Sequence, residues 1–100
     1  MASGILKDGS ATVAAHGTRV PLSATAKTMA NWITFYAKAG NSGNIYIGGS
    51  TVSSTSGAIM GQGDAFVTWP MVAFNAYDLN QIYIDSDNDG EGVQFVYTSI

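Results

Sequence analysis

A chain of 100 residues has room for one hydrophobic core, since two half-sized cores would each be too small to fold alone. Four Lys and Arg stand against seven Asp and Glu, for a net charge of −3; without a basic cluster there is no surface to neutralise phosphates, which excludes direct nucleic-acid binding. No apolar run approaches the roughly 20 residues of a membrane span, and the absence of cysteine removes disulfides and thiolate metal sites and fits assembly in a reducing cytoplasm.

Charged residues make up only 11% of the chain and hydrophobic ones 46%, where an average soluble domain carries about 25% charged residues. Ser, Thr, Asn and Gly therefore form much of the surface. Such a surface can be pressed against a neighbour without stranding ions. Self-association is the expectation.

Residues 1–10 read as an N-terminal arm ahead of a single domain that covers the rest of residues 1–100. The first eight residues lack the basic start and apolar stretch of a secretion signal, so none is expected. Short β-branched or alternating segments then recur between turn residues, the pattern of a sandwich or barrel. Residues 11–15 and 18–22 are the first candidates, split by His16-Gly17. A helical turn or two is plausible only over residues 23–31.

Trp32-Ile33-Thr34-Phe35-Tyr36-Ala37 is the strongest strand, rich in residues that suit a pleated surface. With Asn44-Ile45-Tyr46-Ile47-Gly48 it reads as a hairpin across Gly40-Asn41-Ser42-Gly43. Residues 48–57 read as loop around Val52, followed by Ala58-Ile59-Met60 and a turn at Gly61-Gln62-Gly63-Asp64. Ala65-Phe66-Val67-Thr68-Trp69 comes next, limited by Pro70, which cannot donate inside a ladder. Residues 71–74 continue that strand past a bulge, and residues 75–80 connect through one helical turn. Gln81-Ile82-Tyr83-Ile84 and Val93-Gln94-Phe95-Val96-Tyr97 form the last expected pair.

About eight strands at intervals near ten residues predict an all-β fold, a single antiparallel β-sandwich or jelly-roll-like domain. Alternation places Ile45 with Ile47, Ile82 with Ile84, and Val93 with Phe95 on shared core faces. In the strongest strand either Ile33 and Phe35 face inward or Trp32, Thr34 and Tyr36 do.

Asp85-Ser86-Asp87-Asn88-Asp89-Gly90-Glu91 resembles the front of a calcium loop, with carboxylates at alternate positions and glycine at the sixth. The twelfth position is Val96 rather than a bidentate Glu, and the flanks are strands. A cation held by Asp85, Asp87 and Asp89 is thus the lesser reading. The preferred one is a solvated tip in which Asp89-Gly90 supplies the positive φ of a tight turn.

No enzymatic equipment is apparent. His16 is the only histidine, it has no nucleophile elbow to serve, and it reads as a turn residue. The glycines at 48, 49, 57, 61 and 63 read as turns, because no Gly-Lys-Ser/Thr follows to cradle a phosphate. No cofactor is expected. Trp32, Trp69, Tyr36, Tyr46, Tyr77, Tyr83 and Tyr97 would stack on sugars if several lay exposed together, but aromatics more often build cores and subunit contacts.

The order of motifs is informative as a whole. His16-Gly17-Thr18-Arg19-Val20-Pro21-Leu22-Ser23 is followed by Trp32 to Lys38, then Asn44-Ile45-Tyr46-Ile47-Gly48-Gly49-Ser50-Thr51-Val52. Asp78-Leu79-Asn80-Gln81-Ile82-Tyr83-Ile84-Asp85 and Gly90-Glu91-Gly92-Val93-Gln94-Phe95-Val96-Tyr97 close the series. From about residue 12 onward this resembles small virion structural proteins of tailed bacteriophages. Residues 58–64 depart from the Leu-x-Pro-Gly-Glu turn of that group, and Asp87 to Asp89 make the last turn more acidic. The resemblance implies a capsid decoration or cement protein, assembled in the host cytoplasm and located in the virion. Its partners would be further copies of itself, three being the expected number, and the major capsid protein or other virion proteins. It carries no catalytic residue across. A tail-fibre or spike module that binds host-surface glycan is the alternative.

Overall fold

The structure, a computed structural model, describes residues 5–61, 65–67 and 77–99. These residues form an all-β fold of two antiparallel sheets. The nine strands are β1 (Ile5–Val13), β2 (Val20–Pro21), β3 (Met29–Ala37), β4 (Ile45–Gly48), β5 (Ala58–Met60), β6 (Ala65–Val67), β7 (Tyr77–Asp78), β8 (Tyr83–Ser86) and β9 (Glu91–Ser99). One 3-10 turn, Leu79–Gln81, stands before β8. The larger sheet runs β1-β9-β3-β6, with β7 also on β3; the smaller runs β2-β8-β4-β5.

Pairing across the larger sheet explains its core face. Gly9, Phe95 and Phe35 stand in one row, and Ala11, Val93 and Ala37 in the next. Large side chains thus have small neighbours. The Phe95 ring lies over Gly9, where an added Cβ would come within 2.7 Å of its Cζ. Ile33 and Phe35 are the inward set, fully buried, while Tyr36 is exposed. From the smaller sheet Ile45, Ile47, Met60 and Ile84 close the same core, with Val20 and Ile82 packed against it. Burying one such side chain contributes about 1.5–3 kcal/mol.

The chain changes sheet at most connections, and here several expectations are corrected. β3 and β4 are not a hairpin, because β3 lies in the larger sheet and β4 in the smaller. β8 and β9 are likewise in different sheets, so the acidic turn is a crossover rather than a hairpin tip. In both cases the flanking strands bury one face each against the same core, which requires opposite layers. Among the described residues β4 and β5 are the consecutive strands that pair with each other.

Residues 5–10, expected as an arm, are the first part of β1 and pair with β9 from Ile5↔Ser99 onward. No helix forms over residues 23–31. Ser23 and Thr28 bond local backbone instead, with the Thr25 amide donating to Ser23 Oγ and Thr28 Oγ1 donating to the Thr25 carbonyl, a competition that short hydroxylated side chains win over helix. The chain then enters β3 at Met29. The turn over residues 61–64, the Pro70 break and the strand over residues 71–74 lie wholly or partly outside the described residues.

One glycine is dictated by close approach. Gly92 is paired with Thr12, and a Cβ there would collide with the Ala11 carbonyl oxygen. Replacing it by alanine must push β1 off β9, and overpacking of this kind costs about 1–3 kcal/mol or more. Gly92→Ala is expected to lower the urea midpoint by that measure while leaving the circular-dichroism spectrum all-β.

Candidate functional site

Five strand ends meet at one pole of the sandwich: the ends of β1, β3 and β8 and the starts of β4 and β9. The crossover between β8 and β9 runs through this pole. It places carboxylates at 85, 87, 89 and 91, every second residue, and each one holds a different piece of backbone.

Asp85 is buried, and its Oδ1 accepts the Gly17 amide at 2.9 Å and the Ser86 amide at 2.8 Å. Asp87 accepts the Asn44 amide at 3.0 Å and the Tyr46 hydroxyl at 2.6 Å. Asp89 Oδ1 accepts the His16 amide at 2.9 Å and lies 2.7 Å from His16 Nδ1. Glu91 accepts the Ser42 amide at 2.7 Å and the Gly43 amide at 3.1 Å. Gly90, in the left-handed region at φ +81°, donates its amide to the Val13 carbonyl at 2.7 Å. Two other crossovers, over residues 14–19 and 38–44, are therefore tied down by the third.

A neutral clamp completes the pole. The Asn41 side chain is buried, donates to the Gly92 carbonyl at 2.8 Å and accepts the Gly92 amide at 3.2 Å. It occupies the place of a strand neighbour. Among the described residues no buried side-chain nitrogen or oxygen lacks a partner.

The electrostatics follow from donors rather than cations. Asp87 is held below the usual carboxylate range first by the Tyr46 hydroxyl, then by the Asn44 amide. Asp89 is lowered by the His16 amide and then the His16 ring, and Glu91 chiefly by the Ser42 amide. The Tyr46 phenol is pushed up, because its proton is engaged by Asp87. The His16–Asp89 contact is the ion pair found among the described residues, formed when the imidazole is charged.

The sequence-predicted sites are redistributed by this geometry. Asp85, Asp87 and Asp89 do not converge on a cation; they reach to Gly17, to Asn44 and Tyr46, and to His16. Among the described residues no three acidic, His or Cys side chains are grouped to hold a metal. The alternation serves two loops, residues 16–17 through Asp85 and Asp89 and residue 44 through Asp87. His16 is a turn residue beside Gly17, which has φ +85°; among the described residues no side chain hydrogen-bonds its Nε2.

The aromatic side chains do not share one exposed face. Tyr46 and Tyr97 are buried, Trp32 and Tyr83 half-buried, and Tyr36 exposed. The side chains of Trp69 and Tyr77 lie outside the described residues. Asn41 and Glu91 were not singled out by sequence reasoning, and an Asn-Ser-Gly loop gives no sign that its asparagine is buried.

No protein-family model matches this chain, and neither a curated protein nor a solved structure shows significant similarity to it.

Two outcomes are expected of the pole. Carboxylates lowered in the folded state bind protons there less readily than in the unfolded chain, so stability is present above the ordinary carboxylate range of about 4 and is lost as pH falls through and below it. Melting temperature should hold between pH 7 and about pH 5 and then fall, and Glu91→Gln should flatten part of that fall. Asn41→Ala strands the Gly92 amide, while the Gly92 carbonyl keeps the Lys38 amide, a loss of about 1–3 kcal/mol, measurable by denaturant titration.

Proposed function

We propose that this protein is a non-enzymatic structural subunit of a virus particle, a capsid decoration or cement protein that self-associates on the phage head. The observation that carries the reading is uncovered apolar surface on a protein with little charge to keep neighbours away. Ile5 and Leu6 are 63% and 65% exposed at the start of β1, and Ile59 is 63% exposed on β5. Alternation puts Ile5 and Leu6 on opposite faces of β1, so both faces of that strand end are open to contact.

β1 and β5 are edge strands of different sheets. Soluble proteins ordinarily guard such edges with charge or proline. β1 carries Lys7 and Asp8 as its only charges over nine residues, and β5, Ala-Ile-Met, carries none. A ring of copies needs two different patches on each copy, one meeting the other around the axis. The β1 end and Ile59 are two such patches, and a trimer is the ring we assign to them. The resemblance of the motif order to that of small tailed-phage virion proteins supports the same reading. Attachment to the major capsid protein would then gain from many weak contacts rather than one strong one.

The test is hydrodynamic. Sedimentation of the purified protein is expected to show an oligomer, and Leu6→Lys or Ile59→Lys to shift it to monomer, since losing a buried aliphatic contact of about 1.5–3 kcal/mol weakens association by roughly 10- to 100-fold. Because the contact joins unlike patches, an equal mixture of the two variants should recover a dimer through its single intact pairing. A wild-type monomer at high concentration that also fails to sediment with empty capsids would overturn the reading.

A further inference from the structure

A shallow depression opens at the smaller sheet, beside the end of β4 and the start of β8. Gly17, Thr18, Arg19, Ser50 and Tyr83 line its volume of about 440 Å³. Tyr83 stands opposite Pro21 on one side and Gly48 on the other, so the β4 neighbour adds no side chain beside the ring. Asp85 follows two residues on, but it is buried and its Oδ1 is engaged by the Gly17 and Ser86 amides.

Arg19 is the only arginine of the chain. Its Nε donates to the Ser50 carbonyl across the depression, which leaves the Nη edge facing away from that bond. Among the described residues no carboxylate pairs with it, and no hydrogen bond engages its two Nη groups. A guanidinium held by one edge and unoccupied at the other is preorganised for a carboxylate, which it takes through parallel N–H bonds. The surroundings select what the carboxylate is attached to. Thr18 and Ser50 offer hydroxyls, and the Tyr83 ring offers a flat apolar face with a polar tip. Together these suit a sugar ring more than a bare anion or a hydrocarbon acid.

We propose that this depression binds a carboxylate-bearing saccharide, a uronic-acid unit, with Arg19 on the carboxylate and Tyr83 against the ring. The site stands independently of self-association, because none of its residues belongs to the apolar strand ends.

The experiment is a heteronuclear NMR titration of the intact protein at low salt with sodium glucuronate, and in parallel with glucose and with sodium acetate. Saturable shifts of the Gly17, Thr18, Arg19 and Ser50 amides are expected with glucuronate. Glucose and acetate, each carrying half of the ligand's chemistry, should bind at least about tenfold more weakly. Arg19→Gln should weaken glucuronate by roughly 10- to 100-fold, the usual range for a charge-assisted pair. Arg19→Lys should recover only part of this, since it keeps the charge and loses the fork. Tyr83→Leu should weaken glucuronate and leave acetate unchanged. Arg19 is exposed, so its variants should keep the rest of the spectrum. Equal response to acetate and glucuronate, undiminished binding by Arg19→Gln, or no saturable shift at these amides would each overturn the proposal.

Discussion

Backbone amides answering carboxylates are the interaction on which the rest of this fold depends. Most connections carry the chain from one sheet to the other, and such a connection leaves amides that no strand partner can satisfy. The crossover between β8 and β9 meets that demand with Asp85, Asp87, Asp89 and Glu91, which reach outward to residues 16–17 and 42–44. An amide–carboxylate bond is charge-assisted and needs no cation. This explains how a chain with four Lys and Arg keeps its acids occupied at one pole, and why Asp87, Asp89 and Glu91 titrate low.

The opposite end uses the same device on a smaller scale. Asp78 accepts the Asn80 amide at 3.0 Å to cap the 3-10 turn and the Lys27 amide at 3.1 Å to hold a residue at φ 61°. Leu79, almost fully buried, then seals the core from below. Between the two ends, the core cluster among the described residues is built of hydrophobic side chains, and the buried Asn41 at the pole is matched on both donor and acceptor sides. A buried amide satisfied in this way contributes specificity of register, since a slip of one residue on β9 would leave it unpaired.

Much of the fold was legible in the sequence. Period-two alternation marked β3, β4, β8 and β9, and the expected inward residues Ile45, Ile47, Ile84, Val93 and Phe95 are buried, with Ile82 half-buried against them. What alternation does not encode is partnership. Two strands separated by a short turn look alike whether they pair or face each other across a core, and both expected hairpins failed for that reason. The strand of residues 5–10 was missed because Lys7, Asp8, Gly9 and Ser10 carry weak strand preference; it is the length of β9 beside them that recruits them. The acidic run was visible, but its spacing suits a cation and a set of separate amides equally well. Arg19 looked like one of four scattered cations, because the Ser50 loop that fixes it is 31 residues away.

Full-length antiparallel pairing of β1 with β9 puts Ile5 beside Ser99. Tension applied to the two ends of the described chain would enter the sheet at one corner and unzip its hydrogen bonds singly, instead of loading them together in shear. Mechanical compliance is thus built into that corner, whatever rigidity the far pole retains.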